Sequence, residues 1–377
     1  MASSTAIASS FTTHIASTTI TITPFLASSA ASISATCTTA IPGKYGYVDP
    51  TACNAEWNFN PSYSAAVAFS VMFGLVTTGH VIEAFLYKKR FCWVLIMGAA
   101  WELASFVTRA LGAHNQQSQS LIIVSQLLLL LAPLWVNAFA YMTVGRLIHF
   151  FHPSQRVGRV KGSSVAKYFV WADIVSFLVQ GTGGSMLSPG SSAHTMKIGL
   201  DTYMAGVGLQ EGFILVFIGL IVKFQRDMLE VERKGEVRLG RERWRGLVWT
   251  LYAVLVLISV RIIYRLIEYS RGTNPSNPLP FHEAYTYALD GLPMFLAIFI
   301  LNVMHPGRVL TGPDSEFPKL SRQEKKLLKA QNKAAKADKK AAKKKGKGAT
   351  LTDERGCGWN SLQEPEVELG ERRPVGS

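Results

Sequence analysis

The chain has 377 residues, of which 48% are hydrophobic and only 17% charged, with a net charge of +14. A soluble domain of this length carries about a quarter charged residues, so the composition excludes an ordinary soluble fold. The basic excess does not call for nucleic acid, because its placement follows the loops between apolar segments.

Residues 1–44 run through Ser, Thr and Ala with no charge before Lys44. Lacking a basic start ahead of an apolar run, this segment reads as a disordered extracellular arm open to O-glycosylation, not as a cleaved leader. An aromatic- and turn-rich stretch, "YGYVDPTACNAEWNFNPS" (45–62), leads into the first span. Seven apolar segments follow at about 63–87, 91–111, 119–144, 165–187, 199–222, 247–269 and 284–304. Each is long enough to cross roughly 30 Å of hydrocarbon. Residues 45–310 are thus expected to form an all-α, polytopic membrane domain, a bundle of seven transmembrane helices.

The loops after spans one, three and five (88–90, 145–167, 223–245) hold 3, 5 and 8 basic residues. The intervening loops (112–120, 188–195, 270–283) hold 0, 0 and 1. Positive charge stays on the cytosolic side, which places the N-terminus outside and the C-terminus inside. The tail, 311–377, is expected to be cytosolic and largely disordered, basic first and then acidic. Its "SRQEKKLLKAQNKAAKADKKAAKKKGKG" (321–348) suits either anionic inner-leaflet lipid or bulk solvent. Cys37 and Cys53 both fall on the oxidising side and can either bridge or stay free, whereas Cys92 and Cys357 read as thiols.

Ionisable groups inside spans carry the functional signal, since each costs about 2.5–3.5 kcal/mol near mid-bilayer unless it is paired or wet. Span one has His80 and Glu83, and span two has Glu102 and Arg109. Span three has Gln126 and Asn137, span four Asp173 and Gln180, and span five Asp201, Gln210 and Glu211. Span six sets Arg261, Arg265 and Glu268 on one face at i, i+4, i+7, and span seven contributes Asp290. Depth along the helices puts Arg265 level with Asp290 and Arg261 nearer to Glu102. The expected arrangement is an ion-paired network across spans two, six and seven. Gln126, Asn137 and Gln180 fit interhelical glue as well as a cavity lining. Glu268 sits close enough to the outer interface to snorkel.

Motifs for catalysis and cofactors are weak. "HVIE" (80–83) has i, i+3 ligand spacing but is one pair only, and no metal is expected from it. "GTGG" (181–184) and "GVG" (206–208) fit close helix packing, and no GxxxxGK[ST] phosphate loop occurs. The chain is expected to have no cofactor and no enzymatic activity. A seven-span receptor of the G-protein-coupled kind is disfavoured by "VGRL" at the end of span three and "LDGLPM" in span seven. Retinal is disfavoured because span seven has no lysine.

A series of short motifs carries a resemblance. Glu102 and Arg109 are followed by "LLLLAPLWVNAFAYMTVGR" (128–146), "FVWADIVSFLVQGTGG" (169–184) and "GVGLQ" (206–210). "RIIYRLIEYSRG" (261–272), "EAYTYALDGLPM" (283–294) and "HPG" (305–307) complete it. In this order and spacing, residues 45–310 resemble the fungal lipid-translocating exporter family founded on aminocholesterol resistance. That resemblance implies a plasma-membrane or vacuolar protein tied to lipid asymmetry, sphingoid-base export or resistance to membrane-active drugs. Its partners would be membrane lipids and amphipathic small molecules. The candidate polar cavity then comprises Glu102, Arg109, Asp173, Gln180, Gln210, Arg261, Arg265, Glu268 and Asp290. The alternative is a seven-span lipid-stress sensor that transports nothing.

Overall fold

The computed structural model describes residues 38–187, 192–235, 244–270 and 277–312, with a few isolated positions beyond them. Cys37, Cys357, nearly all of the Ser/Thr/Ala arm, and the basic and acidic stretches of the tail lie outside this set. Helices α1 (Tyr63–Tyr87), α2 (Trp93–Ala113), α3 (Gln119–Phe151), α4 (Gly162–Met186), α5 (Ala193–Arg233) and α6 (Trp244–Ser270) form six spans. The seventh, Glu283–Arg308, is built from α7 (Glu283–Thr286), a π-helical turn (Tyr287–Gly291) and α8 (Leu292–Val303). Seven helical segments are therefore long and apolar enough to cross a bilayer, and the chain is a multi-pass membrane protein.

Local chemistry sets the ends of these helices. Ser62 starts α1, its hydroxyl accepting from the Ala65 amide at 3.4 Å, and Ser192 does the same for α5 through Thr195 at 3.2 Å. A hairpin of two-residue strands, β1 (Arg156–Val157) and β2 (Val160–Lys161), separates α3 from α4. Gly158 supplies the left-handed turn position there, at φ 56°.

Each span packs on the next in sequence, and α8 returns against α1 to close the ring. The buried core runs from Phe73 and Phe106 through Phe139, Phe217 and Val254 to Met294. Large apolar side chains such as Leu75, Phe85, Trp171, Val216 and Trp249 stand exposed on the outer faces, where hydrocarbon solvates them. Lipid tails give no hydrophobic reason for helices to associate, so close backbone approach has to supply contact. Spans four and five show how. A Cβ on Gly183 would lie 2.6 Å from the Gly199 carbonyl and closer still to the Tyr203 amide. One on Gly206 would meet Gln180 at 2.8 Å.

The segment before α1 folds over the C-terminal end of α2. Tyr45 and Tyr63 both stack on the His114 ring, with centroids 4.3 and 3.9 Å away, and the Gln116 amide donates to the Tyr45 carbonyl at 2.9 Å. Cys53 is disulfide-bonded, and its amide donates to the carbonyl of Thr38, the residue after Cys37. Cys92 is a buried free thiol.

The α4–α5 seam gives a direct test. Gly183→Ala should cost about 1–3 kcal/mol through overpacking. Gly181→Ala, where a methyl meets nothing within 4 Å, should be neutral or mildly stabilising. Thermal unfolding of the purified proteins in one detergent distinguishes the pair, and equal melting points would mean that the seam is not tight.

Candidate functional site

Two prolines and a π turn position the central charges. Pro133 lies inside α3 and has no amide hydrogen, so the carbonyl of Leu129, four residues earlier, loses its helical donor. Arg261 of α6 takes that carbonyl, donating from Nη2 at 2.7 Å. In span seven, Pro293 likewise cannot bond back to Leu289, and the helix widens just before it: the Leu292 amide bonds to Tyr287 instead of the residue four back. Asp290 sits in this widened turn, fully buried. Its two carboxylate oxygens accept from Arg261 Nε and from Arg265 Nη2. The second guanidine nitrogen of Arg265 reaches Glu268 at 3.0 Å, and Tyr264 also donates to Glu268 at 3.2 Å. Glu268 is therefore no snorkelling residue, since the i, i+3 contact on α6 draws it into the network with its side chain 11% exposed.

Glu102 corrects the expected pairing. It is fully buried, yet neither carboxylate oxygen has a hydrogen-bond partner among the described residues. Arg261 turns to Asp290 and Leu129 instead, donating from Nε to one carboxylate oxygen and from Nη2 to the freed carbonyl. The network consequently joins spans three, six and seven, with Glu102 of span two beside it.

Arg109 belongs to a separate cluster at the C-terminal end of α2. Its Nε donates to Glu283 at 3.1 Å, and its guanidinium lies 5.4–5.7 Å from the ring centres of Trp57, Tyr287 and Phe59. Glu283 also accepts from the Ser62 amide at 2.6 Å and from the Tyr287 hydroxyl at 3.2 Å. Sequence reasoning left Glu283 in a loop; its partner, 174 residues away, gave no signal in the local pattern. Asp173 stands apart as well, between spans three and four, where one oxygen accepts from Asn137 at 3.1 Å and Tyr141 at 3.0 Å. Gln180 donates to Gln210 at 2.9 Å across α4 and α5. The nine predicted polar residues thus fall into four groups where one cavity was expected.

Two spaces adjoin these groups. A cavity of about 30 Å³, room for about one water, lies beside the central network, with Pro133, Gln180, Tyr203, Gln210, Arg261 and Arg265 among its walls. A more open groove of about 450 Å³ runs between α1 and span seven, lined by Ala65, Phe69, Ala288 and Leu292, with Glu283 and Tyr287 at its polar end. On span seven, Glu283, Tyr287 and Asp290 follow one another on the buried side, so a single helix face links groove and network. His80 and Glu83 of span one face each other at 3.5 Å near its other end, beside His305.

These features define a polytopic helical membrane protein with a buried charged centre. The family model described as "RTA1 like protein" matches residues 95–313, and the chain belongs to that family. It is 46% identical over 296 residues to the "Probable lipid transporter atnI" of Emericella nidulans, covering 77% of both chains. The "Protoporphyrin uptake protein 1" of Saccharomyces cerevisiae is 30% identical over 208 residues, 55% of this chain and 65% of that one. The "Sphingoid long-chain base transporter RSB1" of the same yeast is 23% identical over 293 residues, 68% of this chain and 75% of that one. No solved structure matches the chain.

Asp290→Asn would leave Arg261 and Arg265 buried without their shared anion, and should destabilise by about 3–5 kcal/mol. Asp173→Asn keeps a partner for Asn137 and Tyr141 and should cost no more than about 1.5 kcal/mol, the worth of a neutral hydrogen bond. Thermal stability of the solubilised variants measures both, and a larger loss for Asp173→Asn would contradict the assignment.

Proposed function

We propose that this protein moves amphipathic lipids, of the sphingoid-base kind, between the leaflets of a fungal plasma membrane. The observation that carries the reading is the groove between α1 and span seven. At about 450 Å³ it falls within the size of a small-molecule site, it is apolar along its length, and it ends on Glu283. A single-chain lipid can lie there with its tail against Phe69 and Leu292 while its head meets a carboxylate. The names of the relatives, two of them lipid transporters and one a porphyrin uptake protein, support an amphipathic cargo.

The next station is the central network. Asp290 lies seven residues along span seven from Glu283, about 10 Å at helical rise. Hydroxyls and charge on the cargo can exchange there with the Asp290–arginine bonds, and with the Gln180–Gln210 pair across the smaller cavity. That cavity holds only about one water, so passage requires the α4–α5 pair to move away from α6. Its glycine seam binds the two helices to each other and lets them travel as one body. No nucleotide-binding loop drives the movement, which follows a gradient or runs as scrambling. The N-terminus faces outward and the basic tail inward, against anionic lipid.

Purified protein in liposomes with a fluorescent sphingoid base tests the proposal. Wild type should expose inner-leaflet label to external quencher faster than empty vesicles. Ala288→Trp fills the groove without touching an ion pair and should slow the exposure about tenfold, equivalent to about 1.4 kcal/mol. Label that binds wild type but never crosses would favour a sensor, and unchanged flipping in Ala288→Trp would remove the groove from the path.

A further inference from the structure

Away from the groove, at the opposite end of span one, three side chains converge. His80 and Glu83 lie one helical turn apart on α1, and His305 follows α8. Among their ligand atoms every pair lies within 4.8 Å. All three residues are buried: His80 is 2% exposed, Glu83 8% and His305 0%.

The hydrogen bonds around the cluster leave a lone pair free on His80 and on Glu83, and leave His305 Nε2 without a partner among the described residues. His80 Nε2 lies 3.0 Å from the Ile298 carbonyl, an acceptor only, so Nε2 carries the ring proton and Nδ1 is left bare. That bare nitrogen points at Glu83 Oε2, 3.5 Å away. Two acceptors therefore face each other in a buried place, an arrangement that either a proton or a metal cation between them relieves. Neither Glu83 Oε2 nor His305 Nε2 has a hydrogen-bond partner among the described residues. The bond from His80 to a backbone carbonyl is the outer-shell contact that orients metal-bound imidazoles. Arg308 approaches the other carboxylate oxygen of Glu83 at 3.6 Å and is itself held by the Tyr87 hydroxyl at 2.9 Å, which leaves Oε2 for the ion.

We propose that His80 Nδ1, Glu83 Oε2 and His305 Nε2 bind a divalent transition-metal ion of the zinc class. Two imidazoles and one carboxylate suit zinc and its neighbours, whereas calcium and magnesium demand oxygen shells. Bond lengths of about 2.0–2.2 Å bring neighbouring ligands to about 3.3 Å apart, so the three side chains close by about 1 Å on binding. Binding has one further consequence. His305 Nδ1 now accepts from the Gly307 amide at 3.1 Å, and a metal on Nε2 places the proton on Nδ1. The bond to Gly307 is released, and the "HPG" turn after span seven relaxes. The ion would tie the ends of spans one and seven together, on the side away from the groove.

The experiment is metal titration of the full-length purified chain, stripped with chelator, using zinc alone with magnesium as control. One zinc per chain should bind and raise the melting point, and magnesium should do neither. His80→Ala and His305→Ala should each weaken binding by at least tenfold, while His194→Ala, outside the cluster, should leave it unchanged. Cobalt substituted into wild type provides a readout independent of variant folding: it should give the visible absorption of a four-coordinate nitrogen–oxygen site. Absence of stoichiometric zinc from wild type, zinc binding that survives both histidine variants, or a six-coordinate cobalt spectrum would each overturn the proposal.

Discussion

Asp290 is the constraint on which the bundle turns. It is the one anion placed between two buried arginines of α6, and all three charges lie where water cannot solvate them. Removing Asp290 leaves Arg261 without its carboxylate and Arg265 with Glu268 alone, a loss of several kcal/mol even after relaxation. The surrounding helices are shaped to hold this arrangement. Pro133 frees a carbonyl for Arg261 in α3, and the π turn before Pro293 turns Asp290 inward. Both prolines break a helical hydrogen bond in the membrane, and in α3 the broken bond is replaced by a charged donor.

Span seven joins this centre to a polar cluster at each of its ends. At the N-terminal end of span seven, Glu283 bonds Arg109 and the start of α1, and borders the apolar groove. At the other end, His305 approaches His80 and Glu83. Span seven thus contacts span one at both ends and span six in the middle, through polar groups each time.

The spans were legible in the sequence because a bilayer imposes a length and a polarity that any 20-residue window reveals. The seven observed helices overlap the expected ones throughout, and extend beyond them where α3 and α5 continue past the apolar stretch to Phe151 and Arg233. Depth matching found Arg265 with Asp290, since helical rise converts residue number into level. Rotation about each helix axis was not legible. Glu102 shares a level with Arg261 but not its bond, and Arg109 turns outward to aromatic rings and Glu283. Nor did the sequence reveal the proline-freed Leu129 carbonyl as a ligand, because a backbone acceptor carries no side-chain signature. The third member of the His80–Glu83 cluster, 222 residues beyond Glu83, was invisible for the same reason as Glu283: contact between spans one and seven follows only from closure of the ring.

The most direct measurement is a charge exchange across α6 and span seven. Arg265→Asp and Asp290→Arg each upset the balance of two cations, Arg261 and Arg265, to two anions, Asp290 and Glu268, whereas the double variant restores it with one pair reversed. If the buried ion bridge holds the bundle, each single variant loses most of its folded, monodisperse yield and the double variant recovers it. A double variant as poor as the worse single, or single variants that fold as well as wild type, would contradict the account.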